Sequence, residues 1–181
     1  MTEVLLIAGP SGSGKSYLQN LLKSKGYDAV ISSTTRDIRV EEGEVDGIHY
    51  NFKKDESHFF EDDYVEHAQV GDKFYGTPTK EFLKSEKIAH VIEPYGIKQI
   101  LDKFKDNKEI NIKVIYMDID RETCKKNLMG EKGYLTEKQQ KRFDRDIKDS
   151  IPERLKEMDI KPNLVIPKLD YDIDEVLKKL Q

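Results

Sequence analysis

The sequence has one cysteine, no tryptophan and no apolar run near the ~20 residues that a membrane-spanning helix needs. The single thiol, Cys124, excludes an internal disulfide, and its place in a charged run favours an inert side chain over a catalytic one. The first residues also lack the pattern of a secretory signal peptide. These absences favour a cytoplasmic protein that is not bound to a membrane.

Positive charge is not in excess, because the formal net charge is −4 at pH 7. A nucleic-acid binder driven by bulk charge is therefore not expected, and any phosphate binding must come from local basic residues. The histidines also lack the spacing of metal ligands. All four are expected to be structural or exposed: His49, His58, His67 and His90.

The sequence does have enough apolar residues for one packed domain under a highly charged surface. Of its 181 residues, 36% are hydrophobic and 36% are charged. Short apolar runs at 4–8, 88–92, 110–117 and 164–166 predict buried strands, and segments with helical spacing separate them. This alternation predicts an α/β fold whose parallel sheet is covered by helices on both faces.

The clearest motif is a phosphate loop at 9–16, Gly-Pro-Ser-Gly-Ser-Gly-Lys-Ser, which fits G-x-x-x-x-G-K-[ST] without a mismatch. It lies between an apolar run and a helical pattern, which is the context that the motif needs. Glycines let successive N–H groups point at a phosphate chain, and the helix N-terminus adds a positive dipole. Lys15 is placed to reach the β- and γ-phosphates of ATP, and the Ser16 hydroxyl to ligate Mg²⁺. The predicted ATP-binding residues are Gly9, Pro10, Ser11, Gly12, Ser13, Gly14, Lys15, Ser16 and Tyr17.

A second group of residues lies in a β-rich stretch from 32 to about 80. It comprises Ser-Ser-Thr-Thr-Arg at 32–36, Arg39, the run Gly-Glu-Val-Asp-Gly-Ile-His-Tyr-Asn-Phe at 43–52, Glu66, and Tyr-Gly-Thr at 75–77. Asp46 and Gly47 in this stretch predict a hairpin turn. Together with the phosphate loop, the group resembles the guanylate kinase family over nearly the whole chain, most strongly from Val4 to Thr77.

The resemblance implies a phosphate-loop nucleoside-monophosphate-kinase fold, with a parallel five-stranded core sheet flanked by helices. One domain would consist of a core at 1–31, 81–129 and 146–181, a β-rich GMP-binding insertion at 32–80 and a helical lid at 130–145. The implied activity is transfer of the γ-phosphoryl group of ATP, with Mg²⁺, to GMP or dGMP. The chain would act as a monomer or homodimer.

The resemblance also implies roles for individual residues. The GMP phosphate would be held by Ser32, Arg36, Arg39, Tyr50 and Tyr75. Glu66 and Thr77 would recognise guanine, and Glu44 would support the arginines. The chemistry agrees, because forked guanidinium groups and tyrosine hydroxyls suit a monophosphate dianion. One carboxylate can also accept from the adjacent N1–H and N2–H₂ of guanine, whereas adenine presents an acceptor at N1.

The chain departs from the family pattern at three places. Three residues separate Arg39 from Gly43, which predicts either a displaced arginine or a bulged loop. The strand at 88–92 is followed by one carboxylate, Glu93, which becomes the candidate for a metal-water or substrate contact; Asp118 matches a family position outside the metal site.

The third departure is a lid with few arginines. Asn127 stands where the family carries arginine, Lys132 roughly replaces a second arginine, and Arg142 matches a third, with Arg145 nearby. The predicted catalytic residues are Lys15, Arg36, Arg142 and Glu93.

Two alternatives remain open from the sequence. One is a nucleoside monophosphate kinase with a different base specificity. The other is a binding module in which catalysis has decayed and the insertion holds a phosphopeptide. The intact Gly14-Lys15-Ser16 argues against the module, and the arginine-poor lid is the feature in its favour.

Overall fold

The computed structural model describes residues 1–40, 43–61, 63–70, 72–148 and 151–181, without the side chains of Phe60, Glu61, Val70, Arg142, Ile147 and Lys148. The core strands are β1 (Thr2–Ala8), β2 (Asp28–Ala29), β7 (Lys87–Val91), β8 (Ile110–Met117) and β9 (Leu164–Ile166). They form a parallel sheet in the order β2-β7-β1-β8-β9. The helices of the core and lid are α1 (Lys15–Ser24), α4 (Pro94–Phe104), α5 (Arg121–Met129), α6 (Glu137–Lys148), α7 (Ile151–Glu157) and α8 (Ile173–Lys179).

The central strand β1 is buried on both faces of this sheet. Successive side chains of a strand point to opposite faces, so Val4 and Leu6 join one hydrophobic core while Leu5 and Ile7 join the other. The first core includes residues of α4 and α7, and the second includes residues of α1, α5 and α8. The predicted five-stranded parallel sheet with helices on both faces is therefore confirmed.

The strand order determines where a ligand can bind. From β1 the chain passes through α1 to β2 on one side, whereas from β7 it passes through α4 to β8 on the other side of β1. The carboxyl ends of β1 and β7 thus lie side by side where the winding direction reverses. Open α/β sheets bind their ligands at such a switch point.

The insertion forms a second, four-stranded sheet. Its strands are β3 (Ser33–Thr34), β4 (Asn51–Phe52), β5 (Tyr64–Val70) and β6 (Lys73–Pro78), and the short helices α2 (His58–Glu61) and α3 (Thr79–Phe82) flank β5 and β6 in the chain. The order is β4-β3-β6-β5. The β3–β6 and β5–β6 pairs are antiparallel, and the β3–β4 pair is parallel.

The hairpin predicted at Asp46-Gly47 is wrong, although a turn is present. Gly47 N donates to Tyr50 O at 2.8 Å, and the Asp46 carboxylate accepts from Phe52 N at 2.9 Å. Asp46 and Tyr50 form a single parallel bridge rather than the start of an antiparallel ladder. The Asp46 side chain therefore directs Phe52 into β4, which pairs with β3 instead of with the residues before the turn.

The core helix α4 holds the insertion strand β5 in place. The Gln99 side chain accepts from His67 N at 3.2 Å and donates to His67 O at 2.9 Å, as a neighbouring strand would. Lys103 Nζ donates to Tyr64 O at 2.9 Å. Glu66, which lies between these two anchored residues, is thereby fixed relative to the core.

The segment after α5 leads into α6, which we call the lid helix because it overlaps the predicted lid at 130–145. A short 3-10 turn spans Gly130–Lys132, and α6 begins with a capping box. Thr136 N donates to the Gln139 side chain at 2.9 Å, and Gln139 N donates to Thr136 Oγ1 at 3.3 Å. Within the described part of the chain, no helix combines the length and apolarity that crossing a membrane requires.

Candidate active site

The phosphate loop follows β1 and curves tightly against α5. Gly12 and Gly14 have φ of +82° and +83°, in the left-handed region that side chains rarely adopt. A Cβ atom at Gly12 would overlap the carbonyl oxygen of Cys124. Glycine is therefore required at this position both by the backbone conformation and by the close approach to α5.

Side chains hold the loop from three directions. Lys15 Nζ donates to Gly9 O at 2.6 Å and to Pro10 O at 2.7 Å. Asn127 Nδ2 donates to Gly12 O at 2.8 Å, so the residue that replaces a family arginine contacts the loop itself.

The third contact comes from the lid helix α6. The Asp146 carboxylate accepts from Ser11 N at 2.8 Å. An N–H group of the loop is thus presented to an anion, as an anion-binding loop requires.

Arg36 and Glu44 form a nearly buried ion pair at the opposite end of the site. Two Arg36 nitrogens donate to the two Glu44 oxygens at 2.7 and 2.5 Å, and Arg36 also donates to Asp37 O at 2.8 Å. The guanidinium lies 4.9 Å from the centre of the Tyr50 ring. Burial opposes the charge on Glu44, but the hydrogen bonds from Arg36 and Arg39 N outweigh it and lower the Glu44 pKa.

Arg39 and Glu44 are joined across the longer segment before Gly43. Arg39 N donates to the Glu44 carboxylate at 2.8 Å, and Glu44 N donates to Arg39 O at 3.1 Å. Arg39 also lines the same cleft as Arg36. The displaced arginine or bulged loop that the spacing predicts stays a prediction, because residues 41 and 42 lie outside the described residues.

Glu66 and Thr77 lie opposite each other on β5 and β6. Thr77 Oγ1 donates to Glu66 Oε1 at 2.6 Å, and Ser32 Oγ lies 3.4 Å from the same hydroxyl. The Glu66 residue is only 7% exposed, and burial raises the pKa of its carboxyl to about 7 despite the hydrogen bonds from Thr77. Near neutral pH, the Glu66 carboxyl is therefore ionised in part of the molecules and neutral in the rest.

One cleft joins the two ends of the site. Its volume is about 810 Å³, and it lies over the carboxyl ends of the core strands. The phosphate loop contributes Ser11, Gly12, Lys15 and Ser16 to its lining, and the insertion contributes Ser32, Arg36, Arg39, Tyr50, Glu66 and Tyr75. Residues predicted separately from two motifs thus border a single space of a size typical for nucleotide ligands.

Glu93 lines this cleft as well, directly after β7. Its carboxylate is 60% exposed and lies 3.6 Å from an Arg154 guanidinium nitrogen. Among the described residues, no group of three or more His, Cys, Asp or Glu side chains could hold a metal ion alone. Mg²⁺ prefers one or two protein ligands together with water and substrate phosphates. The Ser16 hydroxyl and the Glu93 carboxylate, which both line the cleft, are oxygen donors of the kind that would suit it.

Several predicted residues do not line the cleft themselves. Tyr17 is 59% exposed on α1. Glu44 and Thr77 instead form hydrogen bonds with Arg36 and Glu66, which do line the cleft. Asp118 directly follows β8, and its N–H donates to Ile166 O at 2.9 Å; its assignment outside the metal site stays a prediction. Arg142 belongs to α6, but its side chain is outside the described residues.

The cleft also contains residues that the sequence reasoning did not assign to it. Asp146 from α6 and Arg154 from α7 line it, and no local pattern marks them. Arg145, which the sequence placed only near Arg142, lines it too. His90 lines it too and is 2% exposed. The signal for His90 was available, since an ionisable residue inside an apolar run needs a buried partner.

Comparisons with known proteins agree with this geometry. A family model described as guanylate kinase matches residues 1–181. A guanylate kinase of Mycoplasmopsis pulmonis (strain UAB CTIP) is 34% identical over 123 residues, which cover 64% of this chain and 63% of the relative. One of Helicobacter hepaticus (strain ATCC 51449 / 3B1) is 40% identical over 130 residues, which cover 66% of this chain and 64% of the relative.

The solved structure of a guanylate kinase from Anaplasma phagocytophilum has a TM-score of 0.62 and 20% identity to this chain, covering 99% of this chain and 82% of that one. This similarity supports the fold. The chain spans less than two thirds of the length of the curated relatives above, namely 63% and 64%. Because the family model covers the whole chain, this protein belongs to the guanylate kinase family.

Proposed function

We propose that this chain transfers the γ-phosphoryl group of ATP to GMP or dGMP, with ADP and GDP or dGDP as products. The observation that carries the proposal is the shared cleft, which has a phosphate loop at one end and two arginines with a buried carboxylate at the other. An enzyme that transfers a phosphoryl group between two nucleotides must hold both in one space, with their phosphates facing each other.

The ATP end would work mainly through backbone groups. The N–H groups of the phosphate loop and the N-terminus of α1 would bind the phosphate chain, and Lys15 would leave the carbonyl groups that it now contacts for the β- and γ-phosphates. Bound Mg²⁺ would neutralise phosphate charge, held by Ser16 and, directly or through water, by Glu93.

The GMP end would work through side chains. The hydrogen bonds of Arg36 to Glu44 and Asp37 use three of the five N–H donors of a guanidinium group. The others can serve a phosphate, together with Arg39, Tyr50 and Tyr75, and Glu44 would keep Arg36 oriented. Ionised Glu66 would accept from N1–H and N2–H₂ of guanine.

The reaction itself needs positioning and charge neutralisation more than covalent chemistry. A phosphate oxygen of GMP attacks the γ-phosphorus, and the bond from that phosphorus to the bridging oxygen of ADP breaks. Lys15 and Arg36 approach the transferred group from the two ends of the cleft, and Arg142 and Arg145 are the arginines that α6 offers. The segment 130–145 would act as a lid that excludes water during transfer.

A coupled assay of ADP release with GMP, dGMP, IMP, AMP, CMP and UMP tests the proposal. GMP or dGMP is expected to be the best acceptor, with IMP between GMP and AMP because IMP keeps N1–H but lacks the 2-amino group. A pyrimidine nucleotide or AMP as best acceptor would overturn the base assignment in favour of another nucleotide specificity. Tight GMP binding without turnover would instead favour the binding module. A cytoplasmic location and a monomeric or homodimeric state remain predictions.

A further inference from the structure

We propose that His90 is a positioning residue for guanine selection, which acts by directing the Thr77 hydroxyl hydrogen toward Glu66. The proposal rests on the guanylate kinase activity proposed above and assigns a role to a residue outside the two sequence motifs. His90 lies on core strand β7, whereas Thr77 and Glu66 lie on the insertion sheet. The three side chains form a hydrogen-bonded chain across the junction of the two sheets.

The chain of contacts is short and buried. His90 Nε2 lies 2.8 Å from Thr77 Oγ1, which in turn lies 2.6 Å from Glu66 Oε1. The exposed fractions of His90, Thr77 and Glu66 are 2%, 0% and 7%. Polar groups this deeply buried are costly unless each hydrogen has an acceptor. It therefore matters which group donates and which accepts in each of the two hydrogen bonds.

The number of hydrogens on each group determines which group donates. The Thr77 hydroxyl has one hydrogen, and an ionised carboxylate can only accept. When Glu66 is ionised, Thr77 must therefore donate to Glu66, and its oxygen can accept the Nε2–H of His90. Both hydrogen bonds then point toward the carboxylate, and this arrangement stabilises the ionised form of Glu66, which would bind guanine.

His90 can donate in this way without carrying charge. Burial lowers its pKa to about 3, so the ring is neutral at physiological pH and holds one hydrogen, on either nitrogen. With the hydrogen on Nδ1, the ring would accept from Thr77, and the chain would then point away from Glu66. The position of one imidazole hydrogen is thus coupled to the charge of the base-reading carboxylate.

Other ionisable groups face the same space from the surrounding elements. They are Arg36, Arg39 and Tyr50 before and on the edge of the insertion sheet, Tyr75 on β6, Lys15 from the phosphate loop, Glu93 and Tyr95 at the start of α4, Arg145 and Asp146 from α6, and Arg154 from α7. The causes of the Glu66 pKa shift are nevertheless burial and the Thr77 hydrogen bonds. The ionisation of Glu66 therefore depends directly on its hydrogen bonds with Thr77, and on His90 through Thr77.

The test compares His90→Leu, which removes the donor, with His90→Gln, whose amide nitrogen can take the place of Nε2. GMP binding requires ionised Glu66, so the GMP KM of the wild type should rise as the pH falls below about 7. His90→Leu should move this rise to higher pH and increase the GMP KM roughly tenfold near neutrality, with little change in the ATP KM. His90→Gln should restore the wild-type profile.

Calorimetry gives a readout that does not depend on turnover. Titrations with GMP in buffers of different ionisation enthalpy count the protons released on binding. His90→Leu should release more protons than the wild type near neutral pH, because more of its free Glu66 is protonated. A combined Thr77→Val and His90→Leu variant should behave like Thr77→Val alone, since His90 acts through the missing hydroxyl.

Three outcomes would overturn the role of His90. They are an unchanged pH profile in His90→Leu, an equal loss of ATP and GMP affinity, or effects of the two substitutions that add. If His90→Leu does not fold, His90→Asn replaces it, because the shorter amide keeps polarity but does not reach Thr77. Failure of the proposed function is seen separately, as a wild-type protein for which GMP is not the preferred acceptor.

Discussion

The two ends of the cleft are built by opposite means. The phosphate loop is eight consecutive residues, and the hydrogen bond from Ser11 N to Asp146 shows a backbone N–H group serving an anion. The other end, which we propose recognises the base and call the base-reading end, uses side chains from three strands in two sheets, at Glu66, Thr77 and His90. One end depends on the path of the main chain, whereas the other depends on individual hydrogen atoms of buried side chains.

This difference predicts how each end responds to change. Backbone donors do not titrate, so the phosphate loop should be indifferent to pH and sensitive to glycine substitution. The base-reading end contains a carboxyl group whose pKa burial raises to about 7, so it should respond to pH in the physiological range. Four substitutions test the comparison, in order of decreasing expected effect.

Lys15→Ala should lower turnover on the order of 10³-fold while leaving the Kd for GMP within about twofold. The reason is that, in the proposed function, Lys15 serves the ATP phosphates at one end and GMP is held at the other. Steady-state kinetics and calorimetry with GMP measure the two quantities, and Lys23→Ala on the same helix is the control. Equal losses of GMP affinity and turnover would mean that the ends are not separate.

Gly12→Ala should lower the free energy of unfolding by about 2–4 kcal/mol, measured by urea denaturation. The matched control is Gly26→Ala. Gly26 has φ of +86°, close to the +82° of Gly12, but among the described residues no atom beyond its chain neighbours lies within 4 Å of an added Cβ. The control therefore carries only the backbone strain of about 1–2 kcal/mol. Similar losses in both variants would show that close packing against α5 is not what requires glycine at position 12.

Glu66→Gln should reduce the preference for GMP over AMP by about 1–3 kcal/mol, as expected for loss of a bidentate contact to a base edge. It should also remove the pH dependence of the GMP KM, because glutamine does not titrate. Competition assays with both nucleotides from acid to alkaline pH measure these effects, with exposed Glu86→Gln as control. A Glu66→Gln profile that still changes near neutrality would place the titrating group elsewhere.

Glu93→Gln should have the smallest effect, a rise of at most about tenfold in the Mg²⁺ concentration for half-maximal activity. Its carboxylate is exposed, and most magnesium ligands would come from water and phosphate. Magnesium titrations of activity compare it with Asp118→Asn, which should be silent. A silent Glu93→Gln with a severely impaired Asp118→Asn would show that Asp118 is the relevant carboxylate.

The sequence predictions were accurate for features that neighbouring residues determine, and less accurate for features that depend on distant residues. The strands Ile110–Met117 and Leu164–Ile166 have the predicted bounds, because each is a compact apolar or alternating run between polar residues. The turn at Asp46-Gly47 was located, but the strand pairing around it was wrong. That pairing depends on β3, which is distant in the sequence and only two residues long.

The site residues show the division at the level of single side chains. The hydrogen bonds between Arg39 and Glu44 could not be read from the sequence, because they depend on how the chain returns after Gly43. His90 was expected to be structural or exposed. Its place in an apolar run indicates a buried partner, but the identity of that partner depends on how the insertion sheet packs against the core sheet. Arg145 and Asp146 enter the cleft only because α6 packs beside the phosphate loop.

The sequence by itself determined the phosphate loop, because glycines encode its backbone path and a short strand and helix supply its context. It also determined the parallel sheet, because alternating apolar runs and helical patterns allow few other arrangements. Only the tertiary structure decided the base-reading end. There the charge state of Glu66 is the balance between burial and its hydrogen bonds with Thr77, and both quantities exist only after the core and insertion sheets have packed together.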